Sequence, residues 1–209
     1  MARLSDNPDE LELEDFVAAH LQSRGVFVET GVTARDPQDI LELDIVWTDY
    51  RDPKFIRHAV EVKSGKWQLG DLFKFFGWTR YLSLPSGQFA CRRLPERLNV
   101  DVVKRICDRM DIELLYIDDL HNVTAHFTSL QLPEPPLDWL PGLWRFSYWA
   151  RRRLMTLLTA AIQHQTCPES AKAAKDYAKL VNDAIFFEPD VRARVALLFE
   201  AHQKHLNWP

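Results

Sequence analysis

Three strand-like runs in succession, placed between two helical segments, constrain the fold of this chain more than any other feature. The first helix is predicted over "NPDELELEDFVAAHLQSRG". Its start is indicated by Asn7 as N-cap, Pro8 at the first helical position and Glu10 at the third position, as in a capping box. Its end is indicated by Gly25 after the last turn. The strands "VFVETGV", "ILELDIVW" and "FIRHAVEVKS" follow, separated by polar turns. This order favours a sheet with helices packed against it.

The elements after the third strand complete this pattern. The segment "QLGDLFKFFGWTRYLSL" is predicted to be a helix, "GQFACRRL" a strand, "NVDVVKRICDRM" a helix capped by Asn99, and "IELLYID" a last strand. A helix–strand–strand–strand–helix–strand–helix–strand order predicts an α/β fold with a mixed central sheet.

The composition of the chain changes at "QLPEPPLDWLPG", where prolines cluster. We therefore predict an α/β domain over residues 1–132, a linker or strap over 133–142, and a small all-helical subdomain over 143–209. Breaks at 166–170 and 187–189 would divide that subdomain into three helices.

Several functional classes are disfavoured by the composition. No apolar run approaches the length of a membrane span, and the acidic N-terminus lacks the apolar stretch of a signal peptide. The three cysteines (Cys91, Cys107 and Cys167) form neither a zinc pattern nor a disulfide framework, so a reducing, cytoplasmic setting is predicted. No glycine-rich phosphate loop is present.

The basic residues are concentrated in the middle of the chain. Residues 51–110 contain 13 Lys and Arg against 6 Asp and Glu, whereas residues 1–50 contain 3 against 12. This block is the candidate surface for an anionic partner. Solvation of helix faces by the same side chains is the alternative interpretation.

Three charged residues lie inside two of the apolar strands. Asp44 lies within "ELDIVW", and Glu61 and Lys63 lie two residues apart within "AVEVKSG", so they share one face of their strand. Pairing of the two strands as a hairpin would bring Asp44 beside Glu61, where two carboxylates repel unless a cation lies between them. Carboxylate oxygens favour Mg²⁺ or Mn²⁺ over zinc. The alternative is a surface hairpin with an ordinary cross-strand ion pair.

The pattern D-x(n)-E-x-K on two neighbouring strands, preceded by a helix that bears a glutamate, resembles the PD-(D/E)XK nuclease superfamily, including Mrr-type and Holliday-junction-resolvase-like nucleases. The resemblance covers roughly residues 8–118, and "LEDFVAAHLQSRGVFVE", "LDIVW" and "AVEVKSG" are its matching pieces. It implies a restriction-endonuclease-like fold and Mg²⁺- or Mn²⁺-dependent hydrolysis of phosphodiester bonds.

The resemblance also implies a role for each matching residue. Asp44 and Glu61 would hold the metal, with the backbone carbonyl of Val62 as a further ligand. Lys63 would position or activate the attacking water. Glu14 would contribute a further acid from the first helix, although a solvated carboxylate near the start of a helix is the alternative.

Two positions depart from the pattern of the superfamily. The residue before Asp44 is Leu43 where proline is common. Many members also place a glutamine or lysine of the next helix at the site, and here Gln68, Asp71 and Lys74 are all candidates.

A nuclease would also need contacts to the nucleic-acid backbone. The candidates are Lys66, Lys74, Arg80, Arg92, Arg93 and Arg97. The expected partner is nucleic acid, DNA in preference to RNA, with roles in restriction, defence or repair, and a homodimer is possible in this fold. The alternative is a catalytically silent module of the same fold that binds nucleic acid or protein.

Overall fold

The computed structural model describes residues 7–35, 38–120, 126–163 and 172. Among these residues the structure has the helices α1 (Glu10–Ser23), α2 (Leu69–Tyr81), α3 (Val100–Asp108) and α4 (Leu140–Gln163), and a 3₁₀ turn at Thr128–Leu130. The strands are β1 (Phe27–Arg35), β2 (Asp39–Thr48), β3 (Arg57–Lys63), β4 (Gly87–Cys91) and β5 (Ile112–Tyr116). The predicted elements up to β5 are all present, in the predicted order.

The five strands form one mixed sheet in the order β1-β2-β3-β4-β5. The pairs β1–β2 and β2–β3 are antiparallel, whereas β3–β4 and β4–β5 are parallel. Short connections produce the antiparallel pairs, and the helical crossovers through α2 and α3 produce the parallel ones. The predicted α/β class with a mixed sheet flanked by helices is confirmed.

The sheet is covered by helices. α1 contacts β1, β2 and β3, while α2 contacts β4 and α3 contacts β5. All five residues of β4 are buried, as expected for a parallel strand between two others. A buried indole hydrogen bond, from Trp47 Nε1 to Gln88 Oε1 at 3.0 Å, links β2 to β4 within this core.

The start of α1 differs from the prediction. Asp9, and not Asn7, is the N-cap: its Oδ1 accepts a hydrogen bond from Glu12 N at 2.7 Å, and Glu12 Oε2 accepts one from Asp9 N at 3.0 Å. The sequence contains two overlapping capping-box patterns, Asn7 with Glu10 and Asp9 with Glu12. The second one forms, so Pro8 lies before the helix.

The other predicted helix signals agree with the structure. Gly25 follows the C-cap residue Arg24 and has a φ of 86°, a left-handed conformation that suits glycine. Asn99 caps α3 through a 3.0 Å hydrogen bond from Val102 N to its Oδ1.

The chain divides into two compact units with the boundary between Arg145 and Phe146. The proline-rich segment 133–142 falls in the first unit, where Glu134 Oε2 lies 3.5 Å from Arg24 Nη2. Most of the predicted subdomain 143–209, including its breaks at 166–170 and 187–189, lies outside the described residues, so the predicted domain bounds stay predictions. None of the described helices combines the length and the apolar character that a membrane crossing requires.

Candidate active site

The β2–β3 hairpin brings Asp44 to the strand that bears Glu61 and Lys63. The antiparallel register pairs Ile45 with Val60, and Asp44 and Glu61 are the next residues along each strand. Asp44 Oδ2 accepts a hydrogen bond from Val62 N at 2.7 Å. The Asp44 carboxylate therefore accepts a hydrogen bond from the backbone of β3 at the point where the regular strand pairing ends. This hydrogen bond fixes the carboxylate beside Glu61.

Lys63 lies directly against Glu61. Its Nζ is 2.7 Å from Glu61 Oε1, and the Glu61 side chain is only 9% exposed. The second oxygen, Glu61 Oε2, is buried and has no hydrogen-bond partner among the described residues. A buried carboxylate oxygen in this state is costly unless a donor or a cation reaches it.

The pKa of each of the two acids is raised, chiefly by burial. Burial raises the pKa of Asp44, the charges of Glu10 and Glu42 add to the shift, and the Val62 hydrogen bond and Lys63 oppose it. Burial also raises the pKa of Glu61, assisted by the charge of Asp44 and opposed by Lys63. The pair therefore favours binding of a positive charge.

Lys63 is held in its charged form. Burial alone would lower the pKa of Lys63, but its hydrogen bond to Glu61 and the charges of Glu61, Asp44 and Glu10 outweigh burial and raise that pKa. The lysine is thus an ammonium donor at neutral pH, and a role as a neutral base is disfavoured.

The donor set fits a hard divalent cation. Mg²⁺ is commonly held by one or two carboxylates, with water and phosphate oxygens completing its shell. Asp44 and Glu61 supply two adjacent carboxylates, and no described residue donates a hydrogen bond to Glu61 Oε2. Among the described residues no three His, Cys, Asp or Glu side chains are grouped as a metal site, so the roles of Val62 carbonyl and Glu14 as further ligands stay predictions.

Glu10 is an acid of α1 that contacts this site, and the sequence analysis did not propose it. Glu10 Oε1 lies 3.6 Å from Lys63 Nζ. Because Asp9 caps the helix, Glu10 is its first residue and does not fold back onto the cap as a capping-box residue would. Glu14 lies one turn further along the same side of α1 and is half-buried. The second capping-box pattern, Asp9 with Glu12, was the signal that could have identified Glu10.

Of the three candidates at α2, Lys74 is the one whose charge acts on the pKa of Glu61. The charge of Lys74 lowers the pKa of Glu61, against the larger effect of burial, and its Nζ lies 4.4 Å from the centroid of the Trp78 ring. Asp71 instead accepts a hydrogen bond from Gln68 N at 2.8 Å, which ties both residues to the start of the helix.

Most of the other predicted basic residues gather at the same edge of the sheet as Lys63. Lys66 follows β3, and Arg92, Arg93 and Arg97 follow β4; Arg92 N donates to Lys63 O at 3.1 Å. The Arg92 guanidinium donates to the carbonyl of Asp118 at 2.8 Å, which fixes the end of β5.

Arg80 is not brought together with these residues. It pairs with Asp111 at 2.7 Å, immediately before β5 begins, whereas Lys63 is the last residue of β3. Because β3, β4 and β5 run parallel, the start of β5 and the end of β3 lie at opposite edges of the sheet. Arg80 therefore lies away from the site.

Comparison with known proteins does not assign a family. No protein-family profile and no curated protein matches the chain. A crystal structure described as a protein of unknown function is similar, with 10% sequence identity and a TM-score of 0.43. The match covers 83% of this chain and 98% of that one.

Proposed function

We propose that this chain is a metal-dependent nuclease of the PD-(D/E)XK type, with a restriction-endonuclease-like fold, that hydrolyses phosphodiester bonds in DNA. One observation carries the proposal: Asp44, Glu61 and Lys63 converge at the end of β3. There Asp44 Oδ2 accepts a hydrogen bond from Val62 N, and Glu61 Oε1 pairs with Lys63 Nζ. Glu61 Oε2 is buried and has no hydrogen-bond partner in the described part of the chain, which supports a cation at the two carboxylates.

Each of the three side chains has its own role in the proposed reaction. Asp44 and Glu61 would hold Mg²⁺ or Mn²⁺, which when bound would stabilise the negative charge that develops on the phosphate oxygens. Lys63, as an ammonium held by Glu61, would donate a hydrogen bond that orients the attacking water. The water oxygen would bond to phosphorus as the bond to the 3′-oxygen breaks. The proton of the attacking water would pass to solvent, and the leaving oxygen would take up a proton from solvent, giving 5′-phosphate and 3′-hydroxyl ends.

The test is cleavage of labelled plasmid, linear duplex, single-stranded DNA, branched junction and RNA with Mg²⁺, Mn²⁺ or EDTA. We expect wild type to cut at least one DNA substrate only with metal. We expect Lys63→Ala to lower the cleavage rate about a hundredfold or more, because a positioned donor is lost from the site of charge development. Asp44→Asn, whose amide oxygen can still accept from Val62 N, should lower it similarly.

The matched control is Lys104→Ala, which removes a lysine from an exposed ion pair with Asp108 on α3. It should cut like wild type. Equal cutting by the Lys63→Ala and wild-type proteins would contradict the proposal. Binding of DNA without metal-dependent cutting by wild type would favour the catalytically silent binding module instead.

A further inference from the structure

Three aromatic rings lie together on the surface of the first unit, at the turn of the β2–β3 hairpin. Phe27, Tyr50 and Phe55 are 49%, 60% and 56% exposed. The centroid of the Tyr50 ring lies 5.8 Å from that of Phe27 and 5.7 Å from that of Phe55, so the rings form one cluster centred on Tyr50. We call this cluster the aromatic patch. Contiguous exposed apolar surface of this kind marks an interaction site, whereas a single exposed ring does not.

The loop between β2 and β3 is held in one conformation by two successive turns. Asp49 O accepts a hydrogen bond from Asp52 N at 3.2 Å, and Asp52 O accepts one from Phe55 N at 3.0 Å. Two aspartate side chains reinforce these turns. Asp49 Oδ1 accepts from Arg51 N at 2.9 Å, and Asp52 Oδ1 accepts from Lys54 N at 2.9 Å. The loop is therefore preorganised, and binding a partner would cost little ordering of its backbone.

Phe55 has a backbone conformation that phenylalanine rarely adopts. Its φ is 48°, in the left-handed region that favours glycine. Such a conformation costs free energy, and it persists where the surrounding structure enforces it. More than half of Phe55 is exposed, so burial within the chain offsets only part of that cost. The fold gains little from this ring, which indicates that the ring serves a contact outside the chain.

The charges around the aromatic patch have both signs. Asp49 and Asp52 alternate along the loop with Arg51 and Lys54, and Arg57 begins β3. Asp49 Oδ1 lies 2.7 Å from Arg51 Nε, so these two charges are paired with each other. An apolar centre with a rim of mixed charge is the composition of a protein interface. A surface for nucleic acid would be positive, and two carboxylates beside the rings disfavour it.

We infer that the aromatic patch is the centre of a twofold contact between two copies of this chain. In such a contact both copies present the same surface, so an acid and a base on opposite sides of the axis form the same ion pair twice. The loop meets this condition, because Asp52 of one copy can pair with Lys54 of the second copy. The three rings expose roughly 300–400 Å², which suits the apolar centre of an interface that buries about 800 Å² on each side.

The aromatic patch and the candidate active site lie at opposite ends of β3. Thr48, just before the loop, pairs with Arg57 at the start of β3, whereas Lys63 is the last residue of that strand. A strand of seven residues separates its two ends by about 20 Å. Each copy of the dimer would therefore keep its candidate site away from the contact and complete within one chain. The inference does not depend on the proposed function.

Sedimentation velocity of the full chain in EDTA, at about 1 to 100 μM, measures this association. We expect wild type to form a reversible dimer at the higher concentrations. Tyr50→Ser removes the central ring of the patch, and Phe55→Gly removes another ring while placing glycine at the positive φ. Each variant should fold, as checked by circular dichroism. Each should weaken the dimer about tenfold or more, because aromatic rings at the centre of an interface carry most of the binding energy.

The matched control is Phe73→Ser on α2. Phe73 is 55% exposed, nearly the same as Phe55, but lies outside the aromatic patch, so this variant should dimerise like wild type. Lys54→Glu reverses a charge of the rim and should weaken the dimer, most strongly at low salt.

The inference is overturned if wild type is monomeric at every concentration, which would leave the aromatic patch to a different partner protein. It is also overturned if Tyr50→Ser, Phe55→Gly or Lys54→Glu dimerises as strongly as wild type. Because sedimentation in EDTA involves no cutting, failure of the nuclease proposal would show separately, as intact substrate in the cleavage assay.

Discussion

At the scale of single residues, Asp44 connects the fold to the candidate site. Its carboxylate accepts a hydrogen bond from Val62 N at the end of the β2–β3 strand pair, and its charge raises the pKa of Glu61. The sequence marks Asp44 as an acid inside an apolar run, and hairpin pairing was enough to predict its neighbour. The contact of Glu10 with Lys63 was missed because it depends on where α1 begins.

We expect Asp44→Asn to raise the melting temperature near neutral pH in EDTA. Folding raises the pKa of Asp44 above its ordinary value of 3.8, chiefly through burial. For such a group the stabilising contribution is fully present below that ordinary value and is lost as pH rises through the folded pKa. Removing the charge should therefore raise the melting temperature near neutral pH, and the gain should vanish in acid.

Calorimetry of wild type and Asp44→Asn from neutral to acid pH measures the difference in melting temperature. Asp138→Asn, at an exposed acid of the first unit, is the control and should melt like wild type at every pH. The buried His20, whose pKa is lowered to about 3 by burial and by Arg24 and Arg145, affects wild type and variant equally and cancels. A lower melting temperature for Asp44→Asn at neutral pH would contradict the expectation.

At the scale of elements, the close packing of α2 on β4 depends on one glycine. A Cβ built at Gly87, the first residue of β4, would lie 2.7 Å from Phe75 Cε1 and 3.0 Å from Thr79 Cγ2. Phe75 is fully buried and cannot move aside. The sequence showed that β4 begins near this glycine, but not that α2 passes so close to it.

We expect Gly87→Ala to destabilise the fold by about 1–3 kcal/mol, because the added methyl group overfills the core. Gly77→Ala, on the exposed side of α2 with open space around it, should stabilise by about 0.5–1 kcal/mol through helix propensity. Urea denaturation compares the two variants with wild type. Equal stability of all three would mean that α2 and β4 are packed less tightly at this point.

At the scale of the first unit, the segment after β5 is fixed to α1 through a buried arginine. Arg24 lies with its guanidinium carbon 5.1 Å from the Phe127 ring centroid, and its Nη2 is 3.5 Å from Glu134 Oε2. His20 stacks on the same Phe127 ring at 5.4 Å. These contacts join residues about a hundred positions apart, so no local pattern predicted them.

We expect Arg24→Met to leave the stability within about 1 kcal/mol of wild type or to raise it, and Arg24→Ala to lower it by about 2–4 kcal/mol. The Arg24 side chain is 1% exposed, its Nε lacks a partner among the described residues, and its carboxylate partner Glu134 is 56% exposed. Burial of this charge is therefore poorly compensated, whereas the volume that packs on Phe127 is needed. Chemical denaturation of both variants distinguishes charge from packing, and a large loss in Arg24→Met would show that the charge itself stabilises the fold.

The sequence by itself determined the order of the elements, the mixed sheet and the grouping of Asp44, Glu61 and Lys63. These follow from local periodicity, from turns and from the pairing of two strands that are neighbours in the chain. Only the tertiary structure decided that the charge of Lys74 acts on the pKa of Glu61, that Arg80 lies at the far edge of the sheet, and that a groove opens between residues 66–71 and 93–98. Those features depend on how the crossover helices pack across the sheet, because packing joins side chains whose separation along the chain carries no periodic signal.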